Sequence, residues 1–309
     1  MSVQAGAGES SNYFYRFCAV VRLAGTQLVR SPSHSRRAEA ARRSARHGLL
    51  LTTIAGATII ALMYALDARE IVLMPPRGTV SLWPVRILTD FGKSAYVLWF
   101  LAGLLFAVAV ISPQLRATSR ALLLGFGTRL QFVFFAVLAP VLIGEIVKWA
   151  VGRGRPFVGG EADAFNFSHF AGTEVYASFP SGHAIASFAL AFAVSAVWPQ
   201  ARVVMIVYAV LIAISRLVLL AHHPSDVVAG ALIGIIGAMF VRYWFAARRL
   251  GFAIRRDGAI VPLAGPSLRR LKRVARDAFA PEEADAASAG RKRHRRRPNS
   301  SQPCSSDEC

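Results

Sequence analysis

Six stretches of this chain are too long and too apolar for an ordinary soluble fold: Gly48–Leu66, Ser94–Ile111, Leu130–Val147, Ser181–Trp198, Val203–Ala221 and Val227–Ala246. A helix needs about 20 apolar residues to cross the hydrocarbon core of a bilayer, with a working range of roughly 17–25. The fourth stretch is the weakest, because its purely apolar part begins only after His183. Each is expected to be helical, since a strand open to lipid would leave its amides unpaired. The expected fold is all-α. It is a polytopic membrane protein, with six transmembrane helices in a bundle, interfacial helices and a disordered C-terminal tail.

The charges lie mainly outside these spans. Residues 1–47 carry eight Lys/Arg and residues 247–309 fifteen, within a chain of net charge +19. An even number of spans returns both termini to one side, and the positive-inside rule places them in the cytoplasm of a cell (inner) membrane. Three regions follow. Residues 1–47 are a basic cytoplasmic segment with an interfacial helix over 12–30, and residues 48–246 are a six-span catalytic domain. Residues 247–309 are a basic cytoplasmic tail, disordered from about 281, where an Arg/Lys run passes into Ser-rich sequence. Basic tails beside apolar spans attract anionic lipid headgroups, so no nucleic-acid partner is expected. Cys18, Cys304 and Cys309 form no CxxC pattern, and no cleavable signal peptide is expected. Residues 67–93, with Trp83 and three prolines, read as a surface helix at the outer interface, either a connector or a lid.

Three polar clusters sit at span ends. Lys148 closes the third span and is followed by Arg155-Pro156. Pro180-Ser181-Gly182-His183 opens the fourth. Ser215-Arg216 closes the fifth, with His222 and Asp226 leading into the sixth. Alternating the spans in and out of the membrane brings all three clusters to the extracytoplasmic face. Lys148, Arg155 and Arg216 would repel one another in a shared pocket unless an anion joined them, and arginine forks match phosphate oxygens. Ser181 and Gly182 add a hydroxyl and free amides at a helix start, which also favours an anion. Together these form a phosphate cradle.

The histidines add chemistry. Pro224 suits the first position of a helix, which leaves His222 just before it and Asp226 in its first turn. There Asp226 can hold one imidazole nitrogen while the other attacks phosphorus, and His183 serves as the acid/base. A zinc site built from His222, His223, Asp226, His183 and His169 is the alternative, disfavoured by the three nearby cations. No metal or cofactor is expected. Glu145, one turn before Lys148, is expected to be a buried acid paired with a neighbouring cation.

The ordered set Lys148…Arg155-Pro156, Pro180–His183 and Ser215-Arg216…His222…Asp226 resembles the signature of the type 2 phosphatidic acid phosphatases. That superfamily includes vanadium haloperoxidases and bacterial acid phosphatases. The resemblance covers residues of about 48–246 and neither tail. It implies a metal-independent site in which His222 forms a phosphohistidine, Asp226 orients it and His183 protonates the leaving group. Lys148, Arg155, Ser181, Gly182 and Arg216 would hold the phosphate. The implied partner is a lipid phosphate substrate, first of all undecaprenyl pyrophosphate. Phosphatidylglycerol phosphate, phosphatidic acid and lipid A 1-phosphate stand as alternatives, as do a lipid phosphotransferase and a non-catalytic phospholipid-binding or transport protein.

Overall fold

The computed structural model of the chain describes residues 4–76, 78–156, 158, 163–265 and 272. Helices α1 (Gln4–Val29) and α2 (Arg37–Ala65) precede two short ones, α3 (Asp67–Leu73) and α4 (Trp83–Asp90). Then come α5 (Ser94–Ile111), α6 (Ala117–Val151), α7 (Gly182–Val197), α8 (Arg202–Val218) and α9 (Pro224–Ala247). The chain ends its described course in a hairpin of β1 (Phe252–Ile254) and β2 (Ile260–Pro262).

All six apolar stretches are helical, but only five helical segments among the described residues are long and apolar enough to cross a membrane. The exception is α7, whose 16 residues span about 24 Å at 1.5 Å per residue, short of a core about 30 Å thick. Length and hydropathy thus account for five of the six expected transmembrane helices among the described residues. The reason is position: α7 is enclosed by α5, α6, α8 and α9, so lipid thickness does not set its length. Ile185, Ala186 and Ala189 are fully buried in one core cluster with Phe132, Ala136 and Val137 of α6 and Ala238 of α9.

Helices α7 and α9 meet backbone to backbone. A Cβ at Gly230 would stand 2.5 Å from the Ser181 carbonyl oxygen, and one at Gly234 would stand 2.5 Å from that of Ile185. This is the small-xxx-small spacing that lets membrane helices approach closely where no hydrophobic force separates lipid from protein. The outer helices do the reverse. None of the apolar window of α2 is buried within the protein, and Leu49, Ile54, Trp99 and Phe106 are exposed on α2 and α5. So much contiguous apolar surface marks a membrane contact. The protein is a multi-pass membrane protein.

The end of the bundle that gathers the tails departs from the expected all-α fold. Phe252 packs edge-on against Phe132 at 4.7 Å, and the Ile254 amide donates to His34 Nε2 at 3.2 Å. Arg129 donates to the Leu263 carbonyl at 2.7 Å, and Arg43 pairs with Asp257 at 3.2 Å. Residues 247–263 are therefore folded onto the bundle rather than trailing from it. Their Asp257-Gly258 turn between short apolar runs is a hairpin signal. The disorder expected from about residue 281 lies outside the described residues. Over 12–30 the expected helix is present as part of α1, tied to the end of α5 by the Tyr13 hydroxyl donating to the Val110 carbonyl at 2.8 Å.

Candidate active site

At the far end of α9, about 36 Å from the hairpin end for its 24 residues, four helix ends converge. Helix α6 terminates in Gly152, which takes a left-handed turn at φ 58° that a Cβ would resist. The chain there leaves the helix and sends Arg153 inward. Pro224 opens α9, and the Asp226 carboxylate reaches back to the His223 amide at 2.9 Å, satisfying a free donor of the first turn. The Ser181 amide donates to the Asp226 carbonyl at 3.0 Å, which ties the start of α7 to the start of α9.

Six of the eight residues singled out by sequence line one cavity of about 240 Å³: Lys148, Arg155, Gly182, His183, Arg216 and His222. Ser181 and Asp226 are fully buried directly behind it. The Ser181 hydroxyl and His183 Nε2 are buried without a hydrogen-bond partner among the described residues, as groups awaiting a ligand would be. Lys93, which sequence reasoning did not single out, also lines the cavity and pairs with Asp90 at 2.8 Å.

His222 is buried, and its Nδ1 lies 2.8 Å from the Ser178 carbonyl. A carbonyl only accepts, so Nδ1 carries the proton and Nε2 keeps its lone pair. Burial first, then the Arg216 and Arg155 charges, hold His222 well below its ordinary pKa. The ring is neutral at pH 7. The expected direct bond from Asp226 is absent: its Oδ2 stands 4.0 Å from Nδ1. The carboxylate instead accepts from the Ser178 hydroxyl at 2.6 Å, so it supports the residue whose carbonyl holds the imidazole.

Beneath Asp226 lies a polar network that the sequence did not disclose. Arg153 is fully buried. It donates to Asp226 Oδ1 at 2.6 Å, to Asp67 Oδ2 at 2.8 Å and to Ser225 Oγ at 2.7 Å. It also donates to the Ala164 carbonyl. A buried guanidinium is tolerated only when its donors are satisfied in this way. Glu70 lies close by, and among the described residues neither of its carboxyl oxygens has a hydrogen-bond partner. Burial, then the Asp67 and Asp226 charges, push its pKa up to about 8. His223 is also fully buried near the same network.

The cations are individually restrained. Lys148 pairs with Glu145 at 2.6 Å, Arg155 with Glu174 at 2.9 Å, and Arg216 donates to the Thr89 hydroxyl at 2.9 Å. Glu145 does pair as expected, but it is exposed at the cavity rim and not buried. Thr89 belongs to α4, so the segment read as connector or lid forms part of the site wall. His169 is exposed and stacks on Phe167, apart from the cavity. Among the described residues, no three His, Cys, Asp or Glu side chains are grouped to hold a metal ion.

Comparison with known proteins matches the family described as the PAP2 superfamily over residues 129–250, the segment holding all eight residues singled out by sequence. The chain is 33% identical over 193 residues to the lipid A 1-phosphatase of Rhizobium johnstonii, covering 62% of this chain and 76% of that one. It is 30% identical over 171 residues to the bacitracin transport permease protein BcrC of Bacillus licheniformis, covering 52% and 78%. It is 36% identical over 122 residues to the putative undecaprenyl-diphosphatase YbjG of Escherichia coli, covering 37% and 58%. No solved structure matches the chain.

Proposed function

The chain belongs to the PAP2 superfamily and is a membrane lipid phosphatase, and on that premise we propose that it hydrolyses its substrate through a phosphohistidine on His222. One observation carries this reading: a neutral imidazole whose second nitrogen is fixed by Ser178 lines a cavity ringed by Lys148, Arg155 and Arg216. Nε2 attacks phosphorus, the bond to the lipid oxygen breaks, and His183 gives that oxygen a proton. Water then attacks the phosphohistidine with His183 as base, releasing phosphate. The three cations, the Ser181 hydroxyl and the Gly182 amide hold the equatorial oxygens, where charge grows in the transition state. Asp226, fixed by Arg153, steadies Ser178 and lies near enough to favour positive charge on the ring.

The substrate is a lipid whose head ends in phosphate. The match over 76% of a lipid A 1-phosphatase favours a glycolipid 1-phosphate over the polyprenyl pyrophosphate that the signature suggests first. The shorter match to a putative undecaprenyl-diphosphatase supports the pyrophosphate as a second reading. In topology, α7 completes a sixth passage inside the wall of longer helices. The basic residues around Arg30, Arg43 and Arg248 stay cytoplasmic, and the site opens on the extracytoplasmic side. The test is phosphate release by purified protein from lipid A, undecaprenyl pyrophosphate and phosphatidylglycerol phosphate, with EDTA present. Release that is blocked by vanadate and unaffected by chelator is expected; no release from any of them rejects the proposal.

A further inference from the structure

A second cavity, also about 240 Å³, adjoins the first. Arg155 and Arg216 line both, while Arg86 of α4 lines only the second, with Pro76, Gly78 and Leu82. The placement of Arg86 follows from the helix. Arg86 and Thr89 stand three residues apart and so share a face of α4. Helix α4 packs on α8, and Thr89 accepts a hydrogen bond from Arg216 at 2.9 Å. The contact that seats Arg216 therefore brings a third guanidinium beside it.

The linings of the two cavities differ. Glu145 lines the first, but among the described residues no Asp or Glu lines the second. Three guanidinium groups around one space, without a carboxylate in its wall, favour an anion, and their planar forks suit the oxygens of phosphate. Direction also matters. His183 and Lys148 line the first cavity and not the second, so the second opens away from the side where the lipid oxygen departs. Arg86 is exposed, which leaves that side open to water.

We propose that the Arg86 cavity is a second phosphate subsite, holding a phosphate oxyanion beside the one bound against His222. This rests on the phosphatase reading above. Two sources supply such a group: the orthophosphate released by hydrolysis, or a second phosphoryl group on the substrate itself. In either case Arg155 and Arg216 bridge the two subsites and Arg86 belongs to the second alone.

The test uses the full-length protein in detergent with a lipid carrying one phosphate, inhibited jointly by vanadate and orthophosphate. Two subsites predict that both inhibitors bind together, giving intersecting lines in a double-inhibition plot. In Arg86→Gln the lines should become parallel and orthophosphate inhibition should weaken roughly tenfold, the scale of a charge-assisted hydrogen bond. Turnover of the single-phosphate lipid should stay within about twofold, because Arg86 does not line the reaction cavity. Parallel lines in the unaltered protein, or unchanged orthophosphate inhibition in Arg86→Gln, overturn the proposal. A second arm identifies the source. A selective loss of kcat/KM on a lipid diphosphate shows that the substrate's own second phosphoryl group occupies the subsite. An unchanged ratio between the two lipids, with weakened orthophosphate inhibition, shows that the released product does. Failure of the phosphatase reading is distinct from all of these, since the unaltered protein would then release no phosphate before any inhibitor is added.

Discussion

At the scale of single residues, the catalytic proposal depends on how His222 is kept neutral. Its pKa lies well below the ordinary 6.5 because the ring is buried beside Arg216 and Arg155. The acid limb of kcat/KM should therefore lie well below that of an ordinary histidine. Arg155→Gln removes one penalty on the imidazolium, so the His222 pKa rises. Less of the ring is then neutral at a given pH, and the limb moves upward; an unmoved limb would separate activity from this ring. Glu70 offers the opposite sign. Its folded pKa of about 8 exceeds the ordinary 4.5, so the stability gained by keeping its proton is full below pH 4.5 and is lost as pH rises through about 8. Glu70→Gln imitates the protonated form. Its thermal midpoint should gain on the unaltered protein between pH 5 and pH 8.5, and an equal gap at both values would contradict the assignment. The eight residues in and behind the cavity were legible because their types recur at span ends in a fixed order. Arg153, Asp67 and Ser178 were not, because pairing across 86 residues and complete burial leave no local trace.

At the scale of elements, hydropathy found α2 and α5–α9 but misplaced the starts of two of them by more than a turn. Helix α2 begins at Arg37 and α6 at Ala117, well before their apolar stretches; the lead-in of α2 is rich in Ala and Arg, which are also good helix formers. Hydropathy also treated α7 as an equal of the others, when its neighbours cover it. The spacing Gly230-x-x-x-Gly234 was present in the sequence and marks that burial. Since Ser181 leads into α7, which carries His183, while α9 follows His222 and carries Asp226, the glycine contact sets the distance between acid and nucleophile. Gly234→Leu must push the helices apart against the Ile185 carbonyl. Overpacking of this kind costs about 1–3 kcal/mol, and misplacement by about 1 Å can cost 100-fold in rate. We expect kcat to fall at least tenfold with protein still recovered in detergent; normal kcat would show that the two helices do not jointly place the site.

At the scale of the whole molecule, the bundle separates two chemistries by the length of its helices. One end gathers residues 30–43 against the 247–263 hairpin, and the other gathers the cavity. The proposed topology, with the basic tails in the cytoplasm, predicts that a reporter fused after residue 309 is active only inside the cell; an external signal would invert it. The family and the converging helix ends were readable from one signature, whereas the hairpin was hidden by its short strands and strongly basic surroundings. The central claim is that an imidazole takes the phosphoryl group before water does. Rapid quenching of the protein with a lipid labelled in its terminal phosphate tests it directly. The account predicts an acid-labile, alkali-stable label that maps to His222 and is missing from His222→Ala, which should also release no phosphate. A label on another residue, or near-normal turnover by His222→Ala, would contradict it.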